Sequence, residues 1–403
     1  MRSRHNSVTL YSLLFLCLIS WLLTLSGPAQ DKQATGSGPV PITLNGESTG
    51  DVSDTTPLMT KLRRLFKERE TNGVFRPKSN EIEKAVFLDA ARDTSIIDFA
   101  RIFAAANAAG ATPIQIPVEK PPRVDIKPNP LMLLAFAGKP EEAAPFPHQD
   151  GIEISFIGEL EQGGSIGSGR VLIDVDKNGN YSIGGKPVSS RNLLSRLRPL
   201  KPADRTIFVD ARNTADIGPL KDVASAAANA GCKKLYFITR NIASSHGDLS
   251  FSISPAWYKT DGPNESNELV TNLNGPDDAV ISFVTAYLTD DFLQKASRPG
   301  SAMSRGSASL TAKDLSDELD LDYGDALKRK NGTVSRLEID GVPGVLIQYD
   351  TVTSENGSVT WHGYRMKGGK LQLIRIEAYC SKTEYAHRKA EFAAVLHSVK
   401  IQS

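Results

Sequence analysis

Residues 207–239, IFVDARNTADIGPLKDVASAAANAGCKKLYFIT, repeat residues 86–118, VFLDAARDTSIIDFARIFAAANAAGATPIQIPV, without a gap at an offset of 121. Phe87 matches Phe208, Asp89 matches Asp210, Ala90 matches Ala211, Ile96 matches Ile217, and Ala109–Gly110 match Ala230–Gly231. Each copy reads as a short apolar strand, a turn, an Ala-rich helix stopped by glycine, and a second strand. The chain must therefore build one α/β unit twice, and any fold proposed for it has to place two such units.

The surrounding sequence extends both units. In the first, PITLNGES reads as a strand, and residues 55–70 as a helix with Pro57 in its first turn and Leu58, Leu62 and Phe66 on one face. In the second, RVLIDVDKNGNYSIGGKPV reads as a strand, an Asp-Lys-Asn-Gly turn and a returning strand, followed by a helix in SSRNLLSRLRPL. Between the units, residues 119–150 hold seven prolines and read as an interdomain linker. The embedded LMLLAFAG, residues 131–138, is too apolar for a free linker and is expected to dock on a neighbouring domain.

A third unit follows. FSISPAWYK, DAVISFVTAYL, SRLEIDGVPGVLIQYD and VTWHGYRMKGGKLQLIRIEAYC read as strands joined by tight turns, interrupted by a helix-like LTAKDLSDELDLDYGDALKRK. The close, KTEYAHRKAEFAAVLHSVKI, has helical spacing. The expected fold class is thus α/β and α+β: two small two-layer α/β units, residues 41–118 and 151–243, then an α+β domain, residues 247–403, with an antiparallel sheet and a C-terminal helix.

At the N-terminus, Arg2 and Arg4 precede residues 8–25, an uncharged apolar run, and Gly27 and Ala29 suit cleavage after Ala29. Residues 1–29 are read as a removable signal peptide and 30–40 as a polar linker. The run is eighteen residues long, so an uncut inner-membrane anchor is the alternative. The expected address is the periplasm or cell envelope. Forty-seven basic against forty-six acidic residues, with no basic stripe carrying aromatics, argue against nucleic acid as a partner. Of three cysteines, Cys17 lies in the signal, and Cys232 and Cys380 fall in different units, so a disulfide framework is not expected.

On these motifs, DVDKNGNYSIGGKPVSSRNLLSRL followed by residues 207–239, the second unit resembles the periplasmic domain of the ExbD/TolR family of proton-driven envelope transducers. The first unit is similar to a degenerate copy. In that family an N-terminal membrane helix carries a proton-binding aspartate, whereas residues 8–25 hold no acidic residue. The resemblance therefore implies an envelope address and a self-associating or docking domain, without the proton chemistry. The third unit resembles the PsbP-like fold through FSISPAWYK, LEIDGVPGVLIQYD and FAAVLHSVKI, which implies an accessory or binding role.

No constellation nominates a catalytic, cofactor-binding or metal-binding residue. DVDKNGNYS, residues 174–182, imitates a calcium loop, but its twelfth position is Gly185 instead of a bidentate glutamate, and a hairpin turn explains the same residues. The run 314–325 holds six carboxylates; a solvated face neutralised by the following Lys-Arg-Lys is set against a hard-cation site. GGSIGSGR, residues 163–170, precedes a strand, unlike a phosphate loop. His148, His246, His362, His387 and His397 are scattered. Asp89 and Asp210 end equivalent strands and are expected to cap the following turn. Trp257 and Trp361 are expected in the core of the third unit. The reading is an exported, non-catalytic protein that recognises envelope proteins or a wall polymer, its repeats paired within one chain, and no cofactor is expected. A membrane-anchored accessory of an ExbD/TolR-type complex and a hydrolase with an unseen cleft are the alternatives.

Overall fold

The computed structural model describes residues 41–44, 47–76, 79–118, 132–136, 150–159, 169–202, 205–261, 268–296, 301–328, 332–349 and 356–402. The first copy opens with β1 (Pro41–Leu44) and β2 (Glu47–Asp51), antiparallel, where one strand was expected. α1 (Thr56–Thr71) carries Pro57 in its first turn and buries Leu58, Met59, Leu62 and Phe66 along one stripe. The repeated element is β3 (Val86–Ala90), α2 (Ile96–Ala108) and β4 (Ile114–Val118). Ser95 caps α2 by accepting the Ile97 amide on its side chain.

The second copy comprises β6 (Asp150–Ile157), β7 (Arg170–Val175), β8 (Tyr181–Ile183), β9 (Lys186–Val188), the short α3 (Leu193–Leu197), β10 (Thr206–Asp210), α4 (Gly218–Asn229) and β11 (Lys234–Ile238). Gly110 and Gly231, equivalent residues just past α2 and α4, have φ of 95° and 96°. That left-handed conformation ends both helices and explains why this glycine is kept in each copy.

The apolar stretch inside the Pro-rich segment is a strand of the first unit instead of a loop docked on a neighbour. β5 (Met132–Phe136) runs parallel to β3 and antiparallel to β1. An interior strand with a parallel neighbour reads as a continuous apolar run, which accounts for its composition. The remainder of 119–149 lies outside the described residues, as do 1–40.

Both copies share one eleven-stranded sheet, ordered β2-β1-β5-β3-β4-β6-β11-β10-β7-β8-β9. Outward from β6, the two flanks follow the same plan: the repeat's two parallel strands, a third strand parallel to them, then an antiparallel pair. The chain order differs. The third parallel strand, β5, ends the first copy, whereas its counterpart β7 precedes β10. The first copy is thus a circular permutation of the second.

The turns before α2 and α4 bond to each other. The Ile96 amide donates to the Ala215 carbonyl and the Ile217 amide to the Thr94 carbonyl, each at 2.9 Å, around facing Ser95 and Asp216. Ser95 and Asp216 are equivalent in the 121-residue offset, so this contact has local two-fold symmetry. Lys221 of α4 adds bonds to Asp89 (2.7 Å) and the Ala90 carbonyl (2.8 Å) of the first copy, and Arg92 pairs with Asp222 at 2.8 Å.

The third part holds an antiparallel seven-stranded sheet ordered β14-β15-β16-β20-β19-β18-β17. Its strands are β14 (Tyr258–Asp261), β15 (Glu268–Asn274), β16 (Val280–Tyr287), β17 (Gly332–Ile339), β18 (Val342–Tyr349), β19 (Asn356–Lys367) and β20 (Lys370–Ser381). A smaller sheet joins β12 (Ile242–His246), β13 (Leu249–Ile253) and β21 (Lys400–Ile401). α5 (Asp290–Ala296) and α6 (Ala312–Leu327) precede β17, and α7 (Lys382–Ser398) follows β20. Tyr385, Phe392, Val395 and Leu396 of α7 pack with Trp361, Phe283 and Ile376 in this domain's core. The class is therefore α/β with α+β, and all described residues belong to one compact unit, Pro41–Ser403.

Candidate functional site

α7 has two buried faces. One carries the aromatic and aliphatic stripe just described; the other presents Glu384, His387, Arg388 and Glu391 toward the sheet of the second copy. Arg388 is fully buried and Glu391 is 1 % exposed. Burying such groups costs several kcal/mol per ion unless partners satisfy them, so their surroundings define the most specific polar site among the described residues.

The partners come from five separate segments. Arg388 Nη1 donates to Glu391 Oε2 (2.9 Å) and the Phe156 carbonyl (3.1 Å); Nη2 donates to Asp277 Oδ2 (2.8 Å) and Ser155 Oγ (3.1 Å). Glu391 Oε1 accepts the Gly158 amide (2.9 Å) and Trp257 Nε1 (2.8 Å). Lys234 pairs with Asp277 (2.7 Å), Glu153 (3.2 Å) and Glu384 (3.5 Å), while the Tyr236 hydroxyl donates to Glu384 at 3.2 Å. Asp277 lies in the turn between β15 and β16 with φ of 57°, a left-handed conformation that an aspartate tolerates better than most side chains. Gly158 permits the close approach of α7: a Cβ there would sit 2.6 Å from Asn241 Oδ1 and 3.1 Å from Glu391 Oε1.

The electrostatics follow from mutual compensation. Burial alone would raise Asp277, but Arg388 and Lys234 bring it down to about 2. Burial works against the charge on Lys234 and Arg388 too; the carboxylates beside them more than offset it, and both are held above their ordinary values. Burial pushes Glu391 upward against the pull of Arg388, Trp257 and Gly158. The charges are committed to one another, so this geometry locks α7 between two sheets.

Of the residues singled out by sequence, Trp257 and His387 lie at this interface and the others fall elsewhere. Asp210 does cap its turn, accepting the Arg212 amide at 3.1 Å, and is also gripped by the Arg212 guanidinium, which reaches Glu159 at 3.2 Å. Asp89 instead pairs across to Lys221 of the other copy. In residues 174–182, Asp176 accepts the Asn178 and Asn180 amides and Asp174 accepts Ser182 Oγ, which is hairpin-turn bonding. The carboxylates of α6 each have a side-chain partner: Asp314 with Thr311 and Arg305, Asp317 with Lys313, Glu318 with Ser301, Asp320 with Arg336, Asp322 with His362 and Tyr364, Asp325 with Lys328. Among the described residues no group of His, Cys, Asp and Glu is arranged to hold a metal ion. Cys232 and Cys380 are buried and free. Trp257 and Trp361 are both core residues of the third domain, as expected; the Trp361 indole donates to the Leu337 carbonyl and the Trp257 indole to Glu391 of the ion cluster. His148 and most of residues 163–170 lie outside the described residues. Sequence reading missed Arg388, Glu391, Lys234 and Asp277. One signal was present: Arg388 falls at the helical spacing of apolar Tyr385, Phe392 and Val395, on the border between that stripe and the charged face.

Among the described residues no helix is long and apolar enough to cross a membrane; the run 8–25 lies outside them. No family model matches the chain, and no curated protein matches it. Solved structures with a detectable likeness include a protein of Bacteroides thetaiotaomicron (7% identity, TM-score 0.21, covering 39% of this chain and 46% of that one). They also include LpqN, involved in cell envelope biogenesis in Mycobacterium tuberculosis (9% identity, TM-score 0.21, 41% and 84%), and PA94 of Pseudomonas aeruginosa, of unknown function (12% identity, TM-score 0.20, 39% and 94%). The chain thus spans about half of the first of these. Likeness at this level carries no functional inference.

Proposed function

We propose that the chain is an exported, non-catalytic envelope protein whose duplicated ExbD/TolR-like units and PsbP-like domain act as one recognition scaffold for an envelope protein or wall polymer. The observation that carries the reading is the junction of the copies, where equivalent residues 94–96 and 215–217 bond to each other in both directions. A domain that pairs with its own copy inside one chain is held as a pair at any concentration, and its remaining surfaces are free for a partner. The ion cluster around Arg388 supports the same reading, since its cations and carboxylates neutralise one another. The arginine-led apolar run 8–25 supports export.

Cross-linking in intact cells, followed by identification of the captured species, tests it. Recovery of envelope proteins or wall fragments is expected; exclusive capture of cytoplasmic proteins would refute the assignment. Fractionation tests the anchor: a mature chain beginning near Gln30 in the soluble fraction is expected, and an intact N-terminus in the membrane pellet would replace this reading with the anchored accessory.

A further inference from the structure

His387 lies one helical position from Arg388, at the edge of the same interface, and does not join its hydrogen bonds. Its ring packs against the touching pair Phe208 of β10 (centroids 5.7 Å apart) and Tyr236 of β11 (5.3 Å). Its Nδ1 is buried with no hydrogen-bond partner. Three cations surround this aromatic nest: the Arg170 guanidinium of β7 lies 5.9 Å from the Phe208 ring centre, Lys234 Nζ of β11 lies 5.0 Å from that of Tyr236, and Arg388 is next on the helix. Glu384, one turn back on α7, is the nearby anion, but it is already engaged by Tyr236 and Lys234. Beyond these, Asp277 from the β15–β16 turn and Glu153 from β6 face Lys234, and Glu391 faces Arg388. The neutral ring fits; an imidazolium would sit in a cationic, largely aromatic pocket.

We propose that this contact is a proton-operated latch, in which protonation of His387 loosens α7 from the sheet of the second copy. The geometry and the ionisation agree. Burial lowers the His387 pKa below its ordinary value; Glu384 pulls it up, and Arg170, Arg388 and Lys234 add to the lowering. The released helix therefore binds a proton more tightly than the docked one. Docking is at full strength above the ordinary histidine pKa of about 6.5 and weakens as pH falls below it, until the docked ring itself titrates. Of two other carboxylates in the cluster, only one bears on the same range. Asp277, at about 2, stays ionised throughout. Glu391, raised by burial, acts with the opposite sign, since acid favours its docked form. The His387 effect is consequently read against a variant that keeps everything else. An exported protein meets external pH directly, so such a latch would report acidification as a change in the mutual freedom of the second copy and the third domain.

The test is amide hydrogen exchange of α7 and β11 in the purified full chain between about pH 7.5 and about pH 5, with times scaled for intrinsic exchange, in wild type, His387→Phe and His387→Gln. The ratio of wild-type to variant protection at this interface should fall with acid by up to about tenfold per pH unit below about 6.5, while β17 and β18 stay unchanged. A ratio constant across the range overturns the proposal. So does a fall of equal size in β17 and β18, which would mark global acid unfolding. Should both variants fail to fold, wild type decides alone: loss of protection confined to this interface supports the latch, and its absence refutes it. The outcome is independent of whether the chain recognises an envelope partner.

Discussion

Replacing Arg388 by methionine isolates the ion cluster in a single substitution. The guanidinium has no exposure and donates to four oxygens: Glu391 Oε2, Asp277 Oδ2, Ser155 Oγ and the Phe156 carbonyl. Methionine fills much of the volume, so little of the cost comes from a cavity. What remains is charge. Asp277 keeps Lys234 and Ser155, but Glu391, fully enclosed, keeps only the Gly158 amide and the Trp257 indole. Breaking a buried pair by removing one partner costs about 3–5 kcal/mol, and the two neutral donors left to Glu391 place this case toward the lower end. The assay is urea unfolding of wild type, Arg388→Met, Glu391→Leu and the double variant. The double variant should recover part of the loss, because no carboxylate is stranded, although the Gly158 amide and Trp257 indole lose their acceptor. A loss below about 1 kcal/mol in Arg388→Met, or a double variant no better than the worse single, would refute the view that mutual compensation holds α7 in place.

Gly158→Ala should cost about 1–3 kcal/mol in urea unfolding, because its Cβ would meet Asn241 and Glu391 where α7 closes on the strand. Lys221→Met, which removes a bond between the copies whose side chains are 24% and 30% exposed, should cost about 1 kcal/mol or less, since the backbone bonds around Ser95 and Asp216 remain; a larger loss would mean the side chain organises the junction. Burial raises the Cys380 thiol to about 12, so mass mapping of alkylated peptides near pH ~8 should find it modified only after unfolding; prompt labelling of the native chain would place it at an accessible surface.

Local pattern carried most of the architecture. The elements β3, α2, β4 and β10, α4, β11 stand where apolar periodicity and the helix-stopping glycines put them, because those signals are written within each element. The two-glycine turn at 368–369 and the long strands beside it were legible for the same reason. β5 was not. Its five residues sit among prolines that mark the segment as irregular, and its role as an interior strand depends on β1 and β3, some fifty to ninety residues away in sequence. The ion cluster was hidden by distance as well: Ser155, Lys234, Asp277 and Arg388 share no local motif, and an isolated charged residue is by default exposed. Only the place of Arg388 on the border of an apolar stripe broke that default. The repeated aspartates show the opposite limit, since one shared residue type does two jobs: Asp210 closes its own turn, while Asp89 reaches the other copy.

The permuted order of strands bears on what the repeat preserves. In the sheet, the place beside β3 or β10 is filled by a parallel strand whichever end of the unit supplies it, because the ladder bonds depend on direction and register, not on the covalent path. A strand can therefore move from one end of the unit to the other while the central β-α-β element stays intact. The matching residues lie inside that element. Ile96 and Ile217 are buried and flank the symmetric bonds, Ala90 and Ala211 are buried just before them, and Gly110 and Gly231 end the helices. Ser95 and Asp216, which face each other at the local two-fold, differ: Ser95 caps α2 through its side chain, and α4 has no side-chain cap. At that point the backbone makes the contact, so side-chain identity there is free to serve each helix separately, while the buried positions on either side must satisfy the same packing from both copies at once.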